Sequence, residues 1–240
     1  MGILEFLNNI SLLKTLSFQR HPDSFATTRV TLYEKLVEVV ESLIQQHEQR
    51  EGRSKKRSLL PVDSTIFIAA HFPEEFFRVQ NELQQHGIDY EFITRPLDSQ
   101  WFLDTANQTS GVIYLTLAEF LTETKFNENQ TFESTLNLIV VDRHPEPFRD
   151  AALEQFARDF PAITRMGYFL ALEDRVLNSV VNETTLTVLR QMGIEDQGLV
   201  SSSIISKRIN KVLAREQKRR SGEGTPTESA EDWFVVNGES

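Results

Sequence analysis

Four consecutive apolar residues, Leu138-Ile139-Val140-Val141, followed at once by Asp142-Arg143-His144-Pro145, constrain this chain more than any other feature. A strand with one wet face alternates apolar and polar residues. An unbroken apolar run is the pattern of a strand buried on both faces, as in a parallel sheet covered by helices on each side. In open α/β sheets, ligands and partner domains meet the carboxyl ends of strands, so the polar quartet marks the natural place for a site. Phe148, Ala152, Leu153, Phe156 and Ala157 then recur at helical spacing, which predicts a helix after the strand. Tyr168 to Leu172 returns as a strand, and Glu173-Asp174 open the next helix with acids that suit the positive end of its dipole.

The same alternation runs through the earlier chain. Leu32, Leu36, Val39, Val40, Leu43 and Ile44 predict an amphipathic helix over 31–49, and Thr65 to Ala70 a strand. A helix over 73–86 carries Phe76, Phe77, Val79 and Leu83 on one side and ends at Gly87, a suitable left-handed cap. Strands follow at Glu91 to Thr94 and Gly111 to Leu115. With 240 residues, 40% of them hydrophobic, the chain has material for one sizeable core and no sign of two. The absence of cysteine excludes disulfides, thiolate metal sites and thiol nucleophiles. His21, His47, His71, His86 and His144 show no metal-ligand spacing.

The segment from 138 to 174 resembles the second RecA-like motor domain of SecA, the ATPase that drives preproteins through the bacterial translocon. In that family the strand ends in Glu-Arg-His, an Asp follows, and an arginine-rich Gln-x-x-Gly-Arg-x-Gly-Arg-Gln-Gly helicase motif leads into Leu-x-Leu-Glu-Asp. Arg143, His144, Asp150, Leu172, Glu173 and Asp174 fall at the matching offsets. Tyr33 and Lys35, the Gly87-Ile88-Asp89-Tyr90 turn, Leu189 to Asp196 and the helix over 203–217 are similar to the family as well, so the resemblance spans roughly 27–217. It implies a RecA-like, P-loop NTPase-type α/β fold: a mostly parallel sheet sandwiched by helices, with a C-terminal helical extension.

The departures concern chemistry. Where the family carries its basic residues this chain has Glu154, Phe156 and Asp159, and where it carries glycines it has Gln155, Arg158 and Pro161. An arginine finger stabilises charge on a transferring phosphoryl group, and its loss costs about 10³ to 10⁵ in rate. Arg158 and Arg165 lie nearby, but in a shifted register. The family's Asn-Met-Ala-Gly-Arg-Gly-Thr-Asp loop is replaced by Thr116 to Leu121, which lacks glycine and arginine and favours helix. No G-x-x-x-x-G-K-[ST] phosphate loop occurs. The expectation is therefore no enzyme and no cofactor, with ATP or ADP held only if a partner chain completes the site.

The sequence divides into a helical arm over 1–26, the α/β domain over 27–220 with 199–220 as its last helix, and a disordered acidic tail over 221–240. Trp233 and Phe234 in that tail read either as a docking motif or as a segment packed back on the domain. Met1 to Phe18 is apolar but interrupted by Glu5, Asn8, Asn9 and Lys14, so it is neither a signal peptide nor a span, and membrane-surface contact is its sharper reading. The net charge of −10 argues against nucleic acid as a general partner, despite basic clusters at Arg50 to Arg57 and Lys207 to Arg220. The expected protein is cytoplasmic and acts by binding a protein partner, a translocation component or a motor ATPase, as scaffold or regulator. The alternatives are half of a split nucleotide-binding ATPase and a nucleic-acid-associated helicase-like module.

Overall fold

The apolar run ends up at the centre of a sheet. A computed structural model describes residues 18–52, 64–98, 101, 112–126, 135–218 and 223–237. Its strands are β1 (Phe18–Arg20), β2 (Ser24–Ala26), β3 (Ser64–Ala70), β4 (Glu91–Ile93), β5 (Ile113–Leu117), β6 (Thr135–Val140), β7 (Ile163–Ala171) and β8 (Val200–Ser201). Its helices are α1 (Arg29–Gly52), α2 (Pro73–Gln85), α3 (Ala118–Thr122), α4 (Pro147–Asp159), α5 (Arg175–Val180), α6 (Glu183–Gln191), α7 (Ile194–Gln197), α8 (Ser203–Gln217) and α9 (Ala230–Asn237). The sheet order is β4-β5-β3-β6-β7-β2-β8, with β1 also on β7. Every pairing is parallel except that of β8 with β2. This is the mostly parallel α/β architecture that the sequence predicts.

Side-chain alternation on β3 separates the two cores. Ile66, Ile68 and Ala70 face α1 and α2, where Tyr33, Leu36, Val37, Val40, Val79 and Leu83 cover them. Phe67 and Ala69 face the other way, into a core with Leu138, Val140, Tyr168, Leu153, Phe156 and Leu213. With both faces covered, residues are buried at every position of the central strand, as β6 is along its whole length.

Helix ends follow local chemistry. Thr28 Oγ1 accepts the Thr31 N–H at 3.2 Å and caps the start of α1. Pro73 opens α2 where its missing N–H costs nothing. At the far end Gly87 adopts φ 65°, and the Ile88 N–H reaches back to the Leu83 carbonyl at 2.9 Å. Residues 118–122 are helical, as expected from the lack of glycine there.

Two expectations about the ends of the chain differ from the structure. Residues 18–26, assigned to a helical arm, instead form β1 and β2, which line up one after the other along the open side of the nine-residue β7. Three-residue strands carry no periodicity of their own, and the neighbour dictates them. Residues 1–17, and with them most of the candidate surface helix, lie outside the described residues. The tail is not disordered over 223–237: it ends in α9, whose Trp233 is 1% exposed. Among the described residues no helix is long and apolar enough to cross a membrane.

Candidate functional site

The carboxyl ends of β3, β6 and β7 gather the polar residues that the sequence singles out. Asp142, just past the end of β6, accepts the backbone N–H groups of His71 at 2.7 Å and Phe72 at 3.2 Å. It thereby ties β6 to β3 and supplies a carboxylate to the start of α2, which has no side-chain cap of its own. Burial pushes the Asp142 carboxyl up to about 7, partly countered by His71.

Arg143 is the hub. Its Nε donates to Asp150 Oδ2 at 2.7 Å, Nη1 to Asp23 Oδ2 at 3.2 Å and Nη2 to Asn210 Oδ1 at 2.5 Å. Burial works against the guanidinium charge, but Asp150, Tyr168 and Asp23 outweigh it and raise the Arg143 pKa above its ordinary value. Burial likewise opposes the Asp150 carboxylate, yet Arg143 and His71 hold it down to about 2. His71 Nε2 lies 2.8 Å from Asp150 Oδ1, and although burial opposes the charged imidazole, that carboxylate raises the His71 pKa above its ordinary value. Arg143 thus pairs with Asp150 across the strand-to-helix turn.

Tyr168 sits beneath two cations. The guanidinium carbons of Arg20 and Arg143 each lie 4.5 Å from its ring centroid. Its hydroxyl is buried without a hydrogen-bond partner among the described residues. Arg20 bonds Asp23 and reaches Glu154 Oε1 at 3.2 Å.

His144 is held neutral. Its ring stacks on Phe72 at 5.2 Å, meets the Trp233 ring edge to face at 5.8 Å, and its Nδ1 accepts the Glu146 N–H at 3.0 Å. Burial, with the neighbouring charges of His71 and Arg149, lowers its pKa to about 2.

A second cluster adjoins the first. Arg29 Nε lies 2.6 Å from Asp174 Oδ1 and 3.4 Å from Glu75 Oε1, and its Nη2 meets Glu231 Oε1 of α9 at 3.0 Å. The Arg29 N–H donates to Glu173 Oε1 at 2.6 Å. Tyr33 donates to Glu75, which also pairs with Arg78 at 3.0 Å. Burial raises the Asp174 carboxyl to about 6 despite Arg29. Between the clusters, Arg29, Glu75, Asp142, Arg143 and Asp174 surround a void of about 10 Å³, room for one water.

The finger positions point elsewhere. Phe156 is core, Glu154 is bound to Arg20, and Asp159 accepts from Gln155 at 2.8 Å on the surface. Arg158 lies over the Phe18 ring at 4.4 Å, half exposed, rather than at the strand ends. Leu172 packs partly buried against the core. The structure therefore brings together Arg143, His144, Asp150 and Trp233 in one place and Glu173 and Asp174 beside it. Phe234 stands at the margin near Arg175, 5.4 Å away. Sequence reasoning missed Asp23, Arg20, Tyr168, Asn210, Arg29 and Glu75. The signal open to it was a set of acids and bases in an acidic chain that lie beside strand or helix termini.

No protein-family model and no curated protein matches the chain. Among solved structures, the crystal structure of the C-terminal part of the Fun30 ATPase domain is similar to it at 12% identity and a TM-score of 0.38. That match covers 78% of this chain, which spans about half (54%) of the other.

Proposed function

We propose that the chain is a non-catalytic relative of the second motor domain of SecA that acts by binding a protein partner, as scaffold or regulator of a translocation component or motor ATPase. One observation carries this reading: the strand ends are filled by the protein's own charges. Arg143, the cation retained at the family position, is spent on Asp150, Asp23 and Asn210. A transition-state cation must instead face the transferring phosphate. Without a competent phosphate site the fold retains value through its surfaces, and fold alone does not carry an activity.

Isothermal titration of the intact protein with ATP and ADP tests this. The expected result is no heat of binding, and micromolar affinity for either nucleotide would overturn the reading and favour half of a split ATPase. The nucleic-acid reading draws on one feature, the exposed face of α8 with Lys207, Arg208, Lys211 and Arg215. Salt-dependent retention on single-stranded DNA or RNA would move the assignment there.

A further inference from the structure

We infer that the seat of α9 is a binding groove for an acidic, tryptophan-anchored helical segment, and that the chain's own residues 223–237 occupy it as a resident stand-in for a partner's segment. This rests on the protein-binding reading and names the surface it uses.

The groove recognises its occupant at five points. The indole of Trp233 is buried against the neutral ring of His144, which itself rests on Phe72. Gly224 crosses flat over that indole: a Cβ there would lie 2.8 Å from the ring atoms, so the segment folds around its own anchor. The Gly224 N–H donates to the buried Glu146 at 2.6 Å, and the Glu228 carbonyl accepts the Glu74 N–H at 3.0 Å. Arg29 takes Glu231 at 3.0 Å, and Arg175 lies over the Phe234 ring. The groove is thus an aromatic slot flanked by cations, and the segment that fits it is an aromatic preceded by acids, Glu231-Asp232-Trp233-Phe234.

The fit is that of a ligand rather than of core. One aromatic anchor is sunk in a pocket while most of the other contacts are rim hydrogen bonds and ion pairs, the anatomy of a protein–protein hot spot. The outer side of α9 leaves Val235 85% and Val236 59% exposed, and beyond Trp233 the helix sets only the partly buried Ala230 and Phe234 against the core. A short element with few buried side chains opens at lower free energy than the sheet beneath it. Arg29 also binds Asp174, and His144 also binds Glu146, so the groove keeps its shape through partners of its own when the segment leaves. A tethered segment competes at high effective concentration, so a partner's helix binds the intact protein weakly and binds better once the resident segment is weakened.

The test uses the full chain and a fluorescein-labelled peptide of residues 223–237, read by anisotropy. The expected result is weak binding to the intact protein and binding about tenfold or more tighter to the Trp233→Ala protein, with the resident competitor loosened. The same peptide carrying Trp233→Ala should fail to bind either. Glu231→Lys provides a second protein variant, since it repels Arg29 from an exposed position and leaves the indole in place. It should also tighten peptide binding. No binding to either variant, or equal binding of the two peptides, overturns the proposal. A concentration-dependent dimer of the intact protein that Trp233→Ala abolishes would assign the groove to a second copy and overturn the partner assignment. Nucleotide binding in the titration above would sink the non-catalytic reading without touching the groove, so the two failures are distinguishable.

Discussion

The strand ends of β6 and β7 and the sheet edge at β4 break the usual rule of burial in opposite directions. At the strand ends Arg143, Asp23 and Asp150 are all 5% exposed or less. At the edge Phe77 is 57% and Phe92 48% exposed, and with Phe76 and Tyr90 they form a string of rings 5.2–5.7 Å apart. Buried charges need a complete set of partners to offset their lost hydration, and the strand-end cluster has one. The aromatic string has no such closure. Among the described residues β4 has a strand neighbour on one side only. The contrast separates charged residues that lie in the interior from aromatic residues that face outward.

The largest test of that contrast is Arg143→Ala. Removing one member of a buried ionic set leaves Asp23 and Asp150 uncompensated, and the expected loss is roughly 3–5 kcal/mol. Thermal melting followed by circular dichroism should show a clear drop. An unchanged midpoint would mean that the cluster is not holding the strand ends, and lost partner binding at full stability would move Arg143 to an interface.

Acid should act next most strongly. Asp150 is held at about 2 in the folded chain, below its ordinary value, so its stabilising contribution is present at neutral pH and is lost as pH falls through the range below 4. His144, also about 2, refuses a proton that the unfolded chain accepts below about 6.5, so it too costs stability on acidification. Asp142 at about 7 and Asp174 at about 6 run the other way, because the folded chain binds their protons more readily and gains stability as pH drops from 7 towards 4. Two gaining groups outweigh the one losing group in that window, so urea midpoints are expected to hold or rise between pH 7 and 4 and to fall steeply below 4, where only the losses from His144 and Asp150 remain. A steep loss already at pH 6 would contradict this balance.

Gly224→Val should cost about 1–3 kcal/mol, the usual size of an overpacking defect. The damage should stay local, with amide hydrogens of α9 exchanging faster while those of β3 and β6 keep their protection. Uniform loss of protection would show that the segment is part of the cooperative core. The smallest effect belongs to the aromatic edge. Phe77→Ser should change stability by no more than about 0.5 kcal/mol, as for other exposed sites. A large drop in melting temperature would mean that the edge is covered.

Legibility in the sequence followed distance along the chain. The apolar runs of β3 and β6 and the helix between Arg29 and Gly52 announce themselves within a few residues, since burial on both faces or on one stripe imposes a local pattern. Arg143 and Asp150 are seven residues apart across a single turn, a separation at which a pairing is local. Asp23 lies 120 residues from Arg143, Glu154 lies 134 from Arg20, and Arg29 lies 202 from Glu231. Only the finished fold brings these together. β1 and β2 were invisible for a related reason, being strands by courtesy of β7. Trp233 read equally well as a docking motif or as a packed side chain, because an indole beside acids suits both until its pocket is known.

The threefold grip on Arg143 also bears on how such a chain can drift. Asp23, Arg143 and Asp150 cannot change one at a time without stranding a charge in the interior, whereas replacing the whole set with apolar residues of similar volume can be neutral or stabilising. The three positions are therefore expected to vary as a block among relatives, so that a coupled substitution far apart in sequence becomes a signature by which distant members of the group are recognised.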